Sequence, residues 1–361
     1  MHWIILVLLI PYIYILLKFY RNLLKIKQYS SGTSQGTFVT IIAACRNEEI
    51  SIPELLGNLA SQDYPRNAFE VIVVDDNSAD STAASANEFN DILNLRVIDN
   101  AGKGKKAAIS TGVRLAAGNI IITVDADSRM KPDWLRTLVS FYEKEKPEMI
   151  ICPVILSGGK GFFHRFQELE FLSLQGITAG SAVAGDPVMC NGANLLFTKK
   201  TFWEHAADLH EELISGDDVF LLHSIKKEKN ARILWLESES ATVTTKTSQS
   251  AVSFLSQRAR WISKAGAYTD KSTMLLAVVT LTAILLQSGT LAGGIFSTEL
   301  LKMFAVIYIL KSLPDYLILK NTATRYKKRQ LMRLFLISQL IYPFYVLAVI
   351  SVYITGRSGT R

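Results

Sequence analysis

Long apolar runs lie at both ends of this chain, and shorter apolar runs alternate with polar ones between them. The first long run covers residues 3–20, and three more cover about residues 273–296, 300–319 and 331–354. Each of these runs is long enough to cross a bilayer as a helix. We therefore expect one N-terminal and about three C-terminal transmembrane helices.

The middle run of the three C-terminal ones is less apolar than the others. Lys302, Lys311 and Asp315 interrupt it. Charged residues inside a membrane pair with one another, reach towards the interface or face a cavity. A re-entrant or interfacial helix is therefore the alternative for residues 300–319.

The central part of the chain has the pattern of an α/β domain. It predicts strands at residues 38–44, 68–74 and about 95–98, and a fourth, fully buried strand that begins at Ile120. The segments between them, at residues 47–62, up to about 90 and at 105–117, read as helices. Such alternation predicts a mostly parallel sheet with helices on both faces. The expected division is a transmembrane anchor at 1–29, an α/β domain at 30–270 and a transmembrane region at 271–361.

One segment inside the predicted α/β domain has two interpretations. Aromatic and aliphatic residues recur near helical spacing in residues 161–176. This helix could lie on a membrane surface beside the α/β domain, or it could be an ordinary core-packing helix.

The positions of the Lys and Arg residues predict how the chain is oriented in the membrane. The net charge is +7, and Lys and Arg gather beside the apolar ends, at residues 18–27 and in the loop 320–329. By the positive-inside rule, both basic stretches lie on the cytoplasmic side. We therefore expect a multi-pass protein of the cytoplasmic membrane with a cytosolic α/β domain, and a membrane rather than nucleic acid as the basic partner. The three cysteines have no zinc-site or disulfide-framework spacing.

Two carboxylates follow the strand that begins at Ile120. The strand ends in Asp125-Ala126-Asp127, and ligands of open α/β sheets bind at the carboxyl edge of the strands. Two anionic oxygen ligands at that edge suit Mg²⁺ or Mn²⁺ carrying a substrate diphosphate. An Asp-rich turn or a helix cap is the alternative for so short a motif.

Other strand ends are polar as well. The first strand runs through Ala43 into Arg46 and Glu48, which could contact a nucleotide or simply form a loop and helix cap. The second ends in Asp75-Asp76, where a carboxylate can accept a hydrogen bond from a base. The stretch Gly102-Lys103-Gly104-Lys105-Lys106 offers N–H and ammonium groups to phosphate, although it is not a Walker motif and a solvated basic loop would look similar.

These motifs occur in a recognisable order. The chain reads, in sequence, R-N-E-E, V-V-D-D-N-S, G-K-K-A-A-I-S-T-G, V-D-A-D, S-G-D-D-V-F-L-L and Q-R-A-R-W, between about residues 39 and 261. This set resembles the family 2 glycosyltransferases, and within them the membrane-bound branch that includes cellulose, hyaluronan and ceramide-glucose synthases. The resemblance implies a GT-A fold, a Rossmann-like and mostly parallel sheet. It also implies inverting transfer of a sugar from a nucleotide-diphospho-sugar, usually a UDP-sugar.

The resemblance also implies a role for each matching residue. The implied catalytic base is Asp218, with Asp217 beside it, and the implied metal ligands are Asp125 and Asp127. The implied donor-binding residues are Ala43, Arg46, Glu48, Asp75, Asp76, Lys105, Asp125, Gln257, Arg258, Arg260 and Trp261. The implied acceptor-binding residues are Cys190, Asn191, Gly192 and Trp261.

Two departures from the family pattern bear on these roles. Asp217 stands where the family usually has Glu, which keeps the charge and leaves the base assignment in place. The acceptor segment reads C-N-G-A-N, unlike the familiar synthase versions, so the identity of the acceptor does not carry over. Arg260 and Trp261 also suit the junction with a membrane surface, and this is compatible with donor binding.

The sequence thus predicts a membrane-anchored glycosyltransferase with a nucleotide-sugar donor and a lipid or glycan acceptor. Processive synthases generally have more than four spans, which favours a lipid or short glycan, although an oligomer or partner subunit would supply a channel. A catalytically silent, nucleotide-sugar-binding scaffold is the alternative from another class. A nucleotidyltransferase is a second, against which the Gln257-to-Trp261 and Gly216-Asp217-Asp218 motifs argue.

Overall fold

The chain divides into two compact units that are discontinuous in sequence. A computed structural model describes residues 2–210, 213 and 216–356. The sheet unit consists of Lys27–Ser157 and Met189–Lys246, and the helical unit of the described residues within Met1–Ile26, Gly158–Val188 and Thr247–Arg361. Residues 30–270, predicted as one α/β domain, therefore contribute to both units.

Helices and strands alternate through the first half of the chain, as expected. The strands are β1 (Val39–Cys45), β2 (Phe69–Asp75), β3 (Leu95–Asp99), β4 (Ile120–Asp125), β5 (Met149–Ile151), β6 (Val154–Ser157), β7 (Leu195–Thr198), β8 (Ile233–Trp235) and β9 (Val243–Lys246). The helices are α1 (Ile10–Leu23), α2 (Ile52–Ala60), α3 (Thr82–Asn87), α4 (Gly104–Leu115), α5 (Trp134–Glu145), α6 (Phe162–Val183), α7 (Lys199–Glu204), α8 (Asp217–Lys226), α9 (Ala251–Ile262), α10 (Lys271–Gly293), α11 (Thr298–Arg325) and α12 (Phe335–Ile354).

The sheet unit is built on a mostly parallel sheet, which confirms the predicted fold class. Among the described residues this sheet has seven strands in the order β3-β2-β1-β4-β7-β5-β8. Only β7 runs antiparallel to its neighbours β4 and β5; the other pairs are parallel. The apolar residues of β2 and β4 are buried, which is why these strands read as continuous apolar runs rather than as alternating ones.

A close contact holds α4 against the centre of this sheet. A Cβ added to Gly112 of α4 would lie 2.7 Å from the side chain of Ile42 in β1. Only glycine allows the helix this approach. The helix whose first turn carries Lys105 is thereby held close against the sheet.

The helical unit contains the candidate membrane spans. Three helices in the described part of the chain are long and apolar enough to cross a membrane: Ile4–Leu23, Lys271–Gly293 and Arg329–Ile354. Two of the about three expected C-terminal spans are among these candidates. The middle segment does form a helix, α11, but Lys311 and Asp315 lie near its centre and make it too polar to count with the others.

Helix α6 packs inside the helical unit, as the core-packing alternative for this segment expects. Most of its residues from Phe166 to Ala182 are buried, including the charged Glu168 and Glu170. Its neighbours are α1 and α11. Gly176 and Gly180, four residues apart, face these neighbours, and small residues at such spacing let helices approach closely.

This contact makes Gly180 a sensitive position. A Cβ added there would lie 2.8 Å from the backbone oxygen of Phe19 in α1, so the Gly180→Ala variant must push two helices apart. We expect a loss of roughly 1–3 kcal/mol of stability, as for other overpacked sites. The check is the thermal unfolding midpoint of the detergent-purified protein.

The matched control is Gly289→Ala in α10, where an added Cβ meets nothing within 4 Å. Alanine favours helix more than glycine does, so this variant should be neutral or slightly more stable. Equal shifts for the two variants would contradict the close α1–α6 contact.

Candidate active site

The predicted site residues of the sheet unit gather at one edge because three neighbouring parallel strands end there together. Cys45 at the end of β1 lies opposite Asp75 of β2, and Ala44 lies opposite Asp125 of β4. The loops that leave these strands therefore begin side by side. This edge is the place where open α/β sheets bind ligands.

Hydrogen bonds tie the loop after β1 to the loop after β2. The backbone N–H of Asn47 donates to Ser78 Oγ at 2.9 Å, and that of Glu48 donates to Thr82 Oγ1 at 2.7 Å. Asn47 has a φ of 56°, in the left-handed region that Asn tolerates better than most residues. Arg46 is exposed on this loop. Both loops are thus held in one conformation.

Ala43 lies deeper than the rest of the predicted donor-binding residues. It is fully buried within β1, between Val73 of β2 and Val124 of β4. Its side chain is part of the core of the sheet.

Asp75 and Asp76 are both buried and both accept hydrogen bonds. Asp75 accepts two hydrogen bonds from Ser78, one from its hydroxyl group and one from the backbone N–H of Ser78 at 3.1 Å. Asp76 accepts from Asn100 Nδ2 at 2.7 Å and from the N–H of Gly104 at 2.8 Å. Asp76 therefore couples the end of β2 to the start of α4. Their role towards a nucleotide base stays a prediction.

Asn100 is a site residue that the sequence reasoning missed. It directly follows β3, so the rule applied to the ends of β1, β2 and β4 would have found it.

Lys105 brings three carboxylates of the site together. Its ammonium group contacts the carboxylate of Asp125. Burial acts to lower the pKa of Lys105, but Asp125, Asp217 and Asp218 outweigh burial and raise this pKa above its ordinary value. The ammonium group therefore stays charged among these carboxylates.

Gly192 lies beside the same groups. Its backbone N–H donates to Asp218 Oδ2 at 3.0 Å. A Cβ added to Gly192 would lie 3.6 Å from each of three atoms: Asp217 Oδ2, Asp218 Cβ and Lys105 Nζ. The predicted acceptor segment and the predicted base are therefore neighbours.

Asp218 is held at the start of a helix. It is the second residue of α8, and its Oδ1 accepts from the N–H of Val219 at 2.8 Å. Gly216, with a φ of 97°, precedes the helix in a conformation that side chains rarely adopt. Ser215 of the same motif lies outside the described residues. Both oxygens of Asp218 thus accept a backbone N–H, which fixes the orientation of the carboxylate.

The rest of the C-N-G-A-N segment is fixed by its asparagines. Asn191 Oδ1 accepts from the N–H of Ala193 at 2.9 Å. Asn194 is fully buried; it accepts from Trp134 Nε1 and donates to two backbone carbonyl groups. Cys190 is half-buried and forms no disulfide. Asn194 thus serves packing, and Gly192 faces the carboxylates.

The two adjacent lysines of α4 differ in their surroundings. Lys106 is buried and donates to the carbonyl groups of Leu209 and His210, at 2.5 and 2.6 Å. Lys105 alone of the pair is held against Asp125. Lys106 instead fixes the backbone at Leu209 and His210.

Asp127 and Glu48 add negative charge beside Asp125. Burial is the main cause that raises the pKa of Asp127, and Asp125 adds to it. Burial likewise raises the pKa of Glu48, with further contributions from Asp127 and Asp125. Carboxylates held this close to one another favour a cation between them.

The described residues contain no group of three or more His, Cys, Asp or Glu side chains that could hold a metal ion. Asp125 and Asp127 supply two carboxylates, and Mg²⁺ is commonly bound by one or two carboxylates together with substrate phosphates. These residues therefore fit a divalent cation that arrives with a diphosphate.

Comparison with known proteins identifies the family of the sheet-forming part of the chain. The family model described as Glycosyl transferase family 2 matches residues 40–205. The chain carries a glycosyl transferase family 2 domain. The match includes the ends of β1, β2 and β4, whereas Asp217 and Asp218 follow it in the chain.

Two proteins with similar sequences match this chain over only part of their own length. The beta-monoglucosyldiacylglycerol synthase of Trichormus variabilis is 33% identical over 141 residues, which are 38% of this chain and 30% of the synthase. The poly-beta-1,6-N-acetyl-D-glucosamine synthase of Staphylococcus epidermidis is 24% identical over 63% of this chain and 56% of its own length. This chain thus spans less than a third of the first of these relatives.

Among solved structures, the mannosyltransferase PcManGT from Pyrobaculum calidifontis in complex with GDP-Man and Mn²⁺ has a similar fold. The TM-score is 0.60 at 19% identity, over 97% of this chain and 98% of that one. At this identity the similarity concerns the fold, a GT-A fold with a mostly parallel sheet.

The Q-R-A-R-W motif follows the family 2 domain in the chain and belongs to the helical unit. Arg258 of α9 is 4% exposed, and its guanidinium group donates to Glu170 at 2.7 and 3.2 Å. Gln257 Oε1 accepts from Arg258 at 2.7 Å, and the Trp261 ring lies 4.0 Å from the guanidinium carbon. Arg260 is exposed. No sequence motif pointed to Glu170 as the partner of Arg258.

Proposed function

We propose that this protein is an inverting, metal-dependent glycosyltransferase that moves a sugar from a nucleotide-diphospho-sugar to a membrane-associated lipid or glycan. The observation that carries this proposal is the arrangement around Gly192. There, an oriented carboxylate, Asp218, lies beside an ammonium group, Lys105, that is held against the first carboxylate of the D-A-D motif.

Asp218 is the proposed base. Its carboxylate accepts the proton of the acceptor hydroxyl while the acceptor oxygen attacks the anomeric carbon of the donor sugar. The bond between that carbon and the diphosphate oxygen breaks, and the nucleoside diphosphate leaves with the electron pair. Such a single displacement inverts the anomeric centre and needs one base and no enzyme nucleophile.

The remaining groups at this edge are proposed to neutralise the negative charge of the leaving diphosphate or to bind the nucleotide. Lys105 keeps its positive charge and lies within reach of both the D-A-D motif and α8. Asp125 and Asp127 are the proposed ligands of Mg²⁺ or Mn²⁺. When bound, the cation would neutralise negative charge that develops on the diphosphate. Asp75, Asp76, Arg46 and Glu48 are proposed to bind the nucleotide.

The two substrates are proposed from the motifs, the candidate spans and the names of the relatives. A UDP-sugar is the proposed donor, from the resemblance of the motifs. A lipid or a short glycan is the proposed acceptor, since three candidate spans in the described residues leave a lone chain little material for an export channel. The name of the Trichormus relative points to a lipid, and that of the Staphylococcus relative to a polysaccharide. The proposed location is the cytoplasmic membrane, with the sheet unit in the cytosol.

The test follows release of nucleoside diphosphate by the detergent-purified protein. The assay contains Mn²⁺ or Mg²⁺, a membrane lipid extract and a panel of UDP- and GDP-sugars, the latter because the Pyrobaculum mannosyltransferase was solved with GDP-Man. We expect release from one donor that depends on lipid, stops on chelation and returns with excess metal. Asp127→Asn should lower the rate by at least about 100-fold, the size expected when a group that stabilises developing charge is lost.

Asp99→Asn is the matched control, because Asp99 also ends a strand at this edge but is exposed. It should leave the rate within about twofold of the unsubstituted protein, as surface substitutions usually do. Release of pyrophosphate instead of nucleoside diphosphate would identify a nucleotidyltransferase. Donor binding without turnover would favour a silent scaffold.

A further inference from the structure

A cavity lies inside the helical unit, among α1, α6, α10, α11 and α12. Its volume is about 80 Å³, whereas a single water needs only about 10–15 Å³. The cavity therefore has room for a small polar group. Its lining is part apolar, with Leu16, Phe166, Leu169, Ile177, Ile318 and Leu319, and part polar, with Tyr12, Glu170, Ser173, Thr280, Asp315, Ser338, Gln339 and Tyr342.

The two carboxylates in this lining already have cationic partners. Lys311, which is 1% exposed, pairs with Asp315 at 2.9 Å. Arg258 pairs with Glu170 at 2.7 Å. Each carboxylate also accepts from a tyrosine hydroxyl, Asp315 from Tyr12 at 2.6 Å and Glu170 from Tyr345 at 3.2 Å. The charges around the cavity are thus balanced before any ligand enters.

The hydroxyl of Ser338 is a buried polar group of the lining that has no hydrogen-bond partner among the described residues. Ser338 is 7% exposed, and its Oγ is buried without a partner. Nearly all buried hydroxyl groups in proteins are hydrogen-bonded, so an orphan that lines a cavity indicates a partner that the chain itself does not provide.

We propose that this cavity binds the neutral, hydroxyl-bearing head of one membrane lipid. Such a hydroxyl can donate to a free lone pair of Asp315 or Glu170 and accept from Ser338 Oγ. The apolar part of the lining would take the first carbons of the lipid chains. Ionisable groups placed inside a membrane bundle commonly mark a functional site.

The lining disfavours charged head groups. Its described residues include two carboxylates and neither Lys nor Arg, so a phosphate would meet negative oxygens without a cation of its own. An ammonium head would find both carboxylates already paired. The rings of Tyr12 and Tyr342 also already face Lys311 Nζ, at 5.7 and 5.5 Å from their centres. A hydroxyl is the group that fits the remaining donor and acceptor positions.

The inference concerns binding and does not rest on the proposed function. The test uses the full chain, purified in detergent and stripped of lipid, and titrated with diacylglycerol. Phosphatidic acid and phosphatidylethanolamine with the same acyl chains are the comparison lipids. Thermal unfolding and native mass spectrometry should show one diacylglycerol per chain and a raised unfolding midpoint, with binding of the two charged-head lipids at least tenfold weaker.

The decisive variant is Ser338→Ala. It should weaken diacylglycerol binding roughly fivefold, the equivalent of one neutral hydrogen bond. It should not lower the unfolding midpoint of the lipid-free protein, because it removes a hydroxyl that has no partner there. Ser351→Ala, an exposed serine on the same helix, is the matched control and should change neither quantity.

Three results would overturn the proposal. The first is absence of saturable diacylglycerol binding, which would leave water as the occupant. The second is binding of phosphatidic acid as tight as that of diacylglycerol. The third is diacylglycerol binding that Ser338→Ala leaves unchanged, which would place the lipid elsewhere.

Discussion

Asp218→Asn is expected to lower the turnover number by about 10²–10⁴-fold, the usual contribution of a general base. The amide oxygen can still accept one of the two N–H groups, from Gly192 or Val219, but the amide NH2 group cannot accept the other. We therefore expect the start of α8 to keep its structure with one of these two hydrogen bonds lost. It cannot take the proton of an acceptor hydroxyl. Donor affinity, measured by calorimetry without acceptor, should stay within a few-fold of that of the unsubstituted protein.

The exposed Asp99→Asn serves again as the control for loss of one negative charge at the same sheet edge. If donor affinity and turnover fell together in Asp218→Asn, Asp218 would be a donor-binding residue rather than the base. If neither fell, the base would have to be sought elsewhere, with Asp217 as the first alternative.

Arg258→Met is expected to destabilise the protein by about 3–5 kcal/mol, because it leaves a buried carboxylate without its cation. Among the described residues, Tyr345 would be the remaining hydrogen-bond donor to the carboxylate of Glu170. The cluster of Phe254 and Trp261 around the guanidinium would also lose its centre. The measurement is unfolding of the detergent-purified protein, by heat or by denaturant.

Two further variants test whether the effect of Arg258 on stability comes from its buried ion pair or from its place in the Q-R-A-R-W motif. Arg260→Met removes an exposed arginine of the same Q-R-A-R-W motif and should change stability by less than about 0.5 kcal/mol. The double variant Arg258→Met/Glu170→Met removes both charges and should regain much of the lost stability, since apolar pairs often replace buried ion pairs without loss. Additive losses would argue against a coupled pair. A stable Arg258→Met protein with weakened donor binding would instead place Arg258 at the donor.

The first four strands were predicted to within about a residue. The pattern placed them at 38–44, 68–74, 95–98 and from 120, and the structure has Val39–Cys45, Phe69–Asp75, Leu95–Asp99 and Ile120–Asp125. Buried parallel strands are short apolar runs between polar loops, and such runs are visible in the sequence itself. The short strands β5 to β9 were not predicted, because three or four residues are too few to show a period.

The placement of some site residues at one edge of the sheet was predicted from these buried strands. Polar residues that follow a buried strand must lie at the edge of the sheet, so Asp75 and Asp125 could be placed together from the sequence. The contact of Lys105 with Asp125, and of Gly192 with Asp218, joins segments 20 and 26 residues apart. No spacing rule predicts such contacts, since they depend on which loops the strand order brings together.

The sequence by itself determined the α/β pattern, the apolar ends and the polar strand ends, because hydrophobic periodicity is a local property of the chain. Only the tertiary structure decided the partners of the charged residues. Arg258 and Lys311 looked like a donor-binding residue and an interruption of a membrane span. In the structure each is paired with a carboxylate in the interior of the helical unit, and the donor-binding role of Arg258 stays a prediction. A charge must find a partner wherever the fold buries it, and what the fold buries depends on packing between segments distant in sequence.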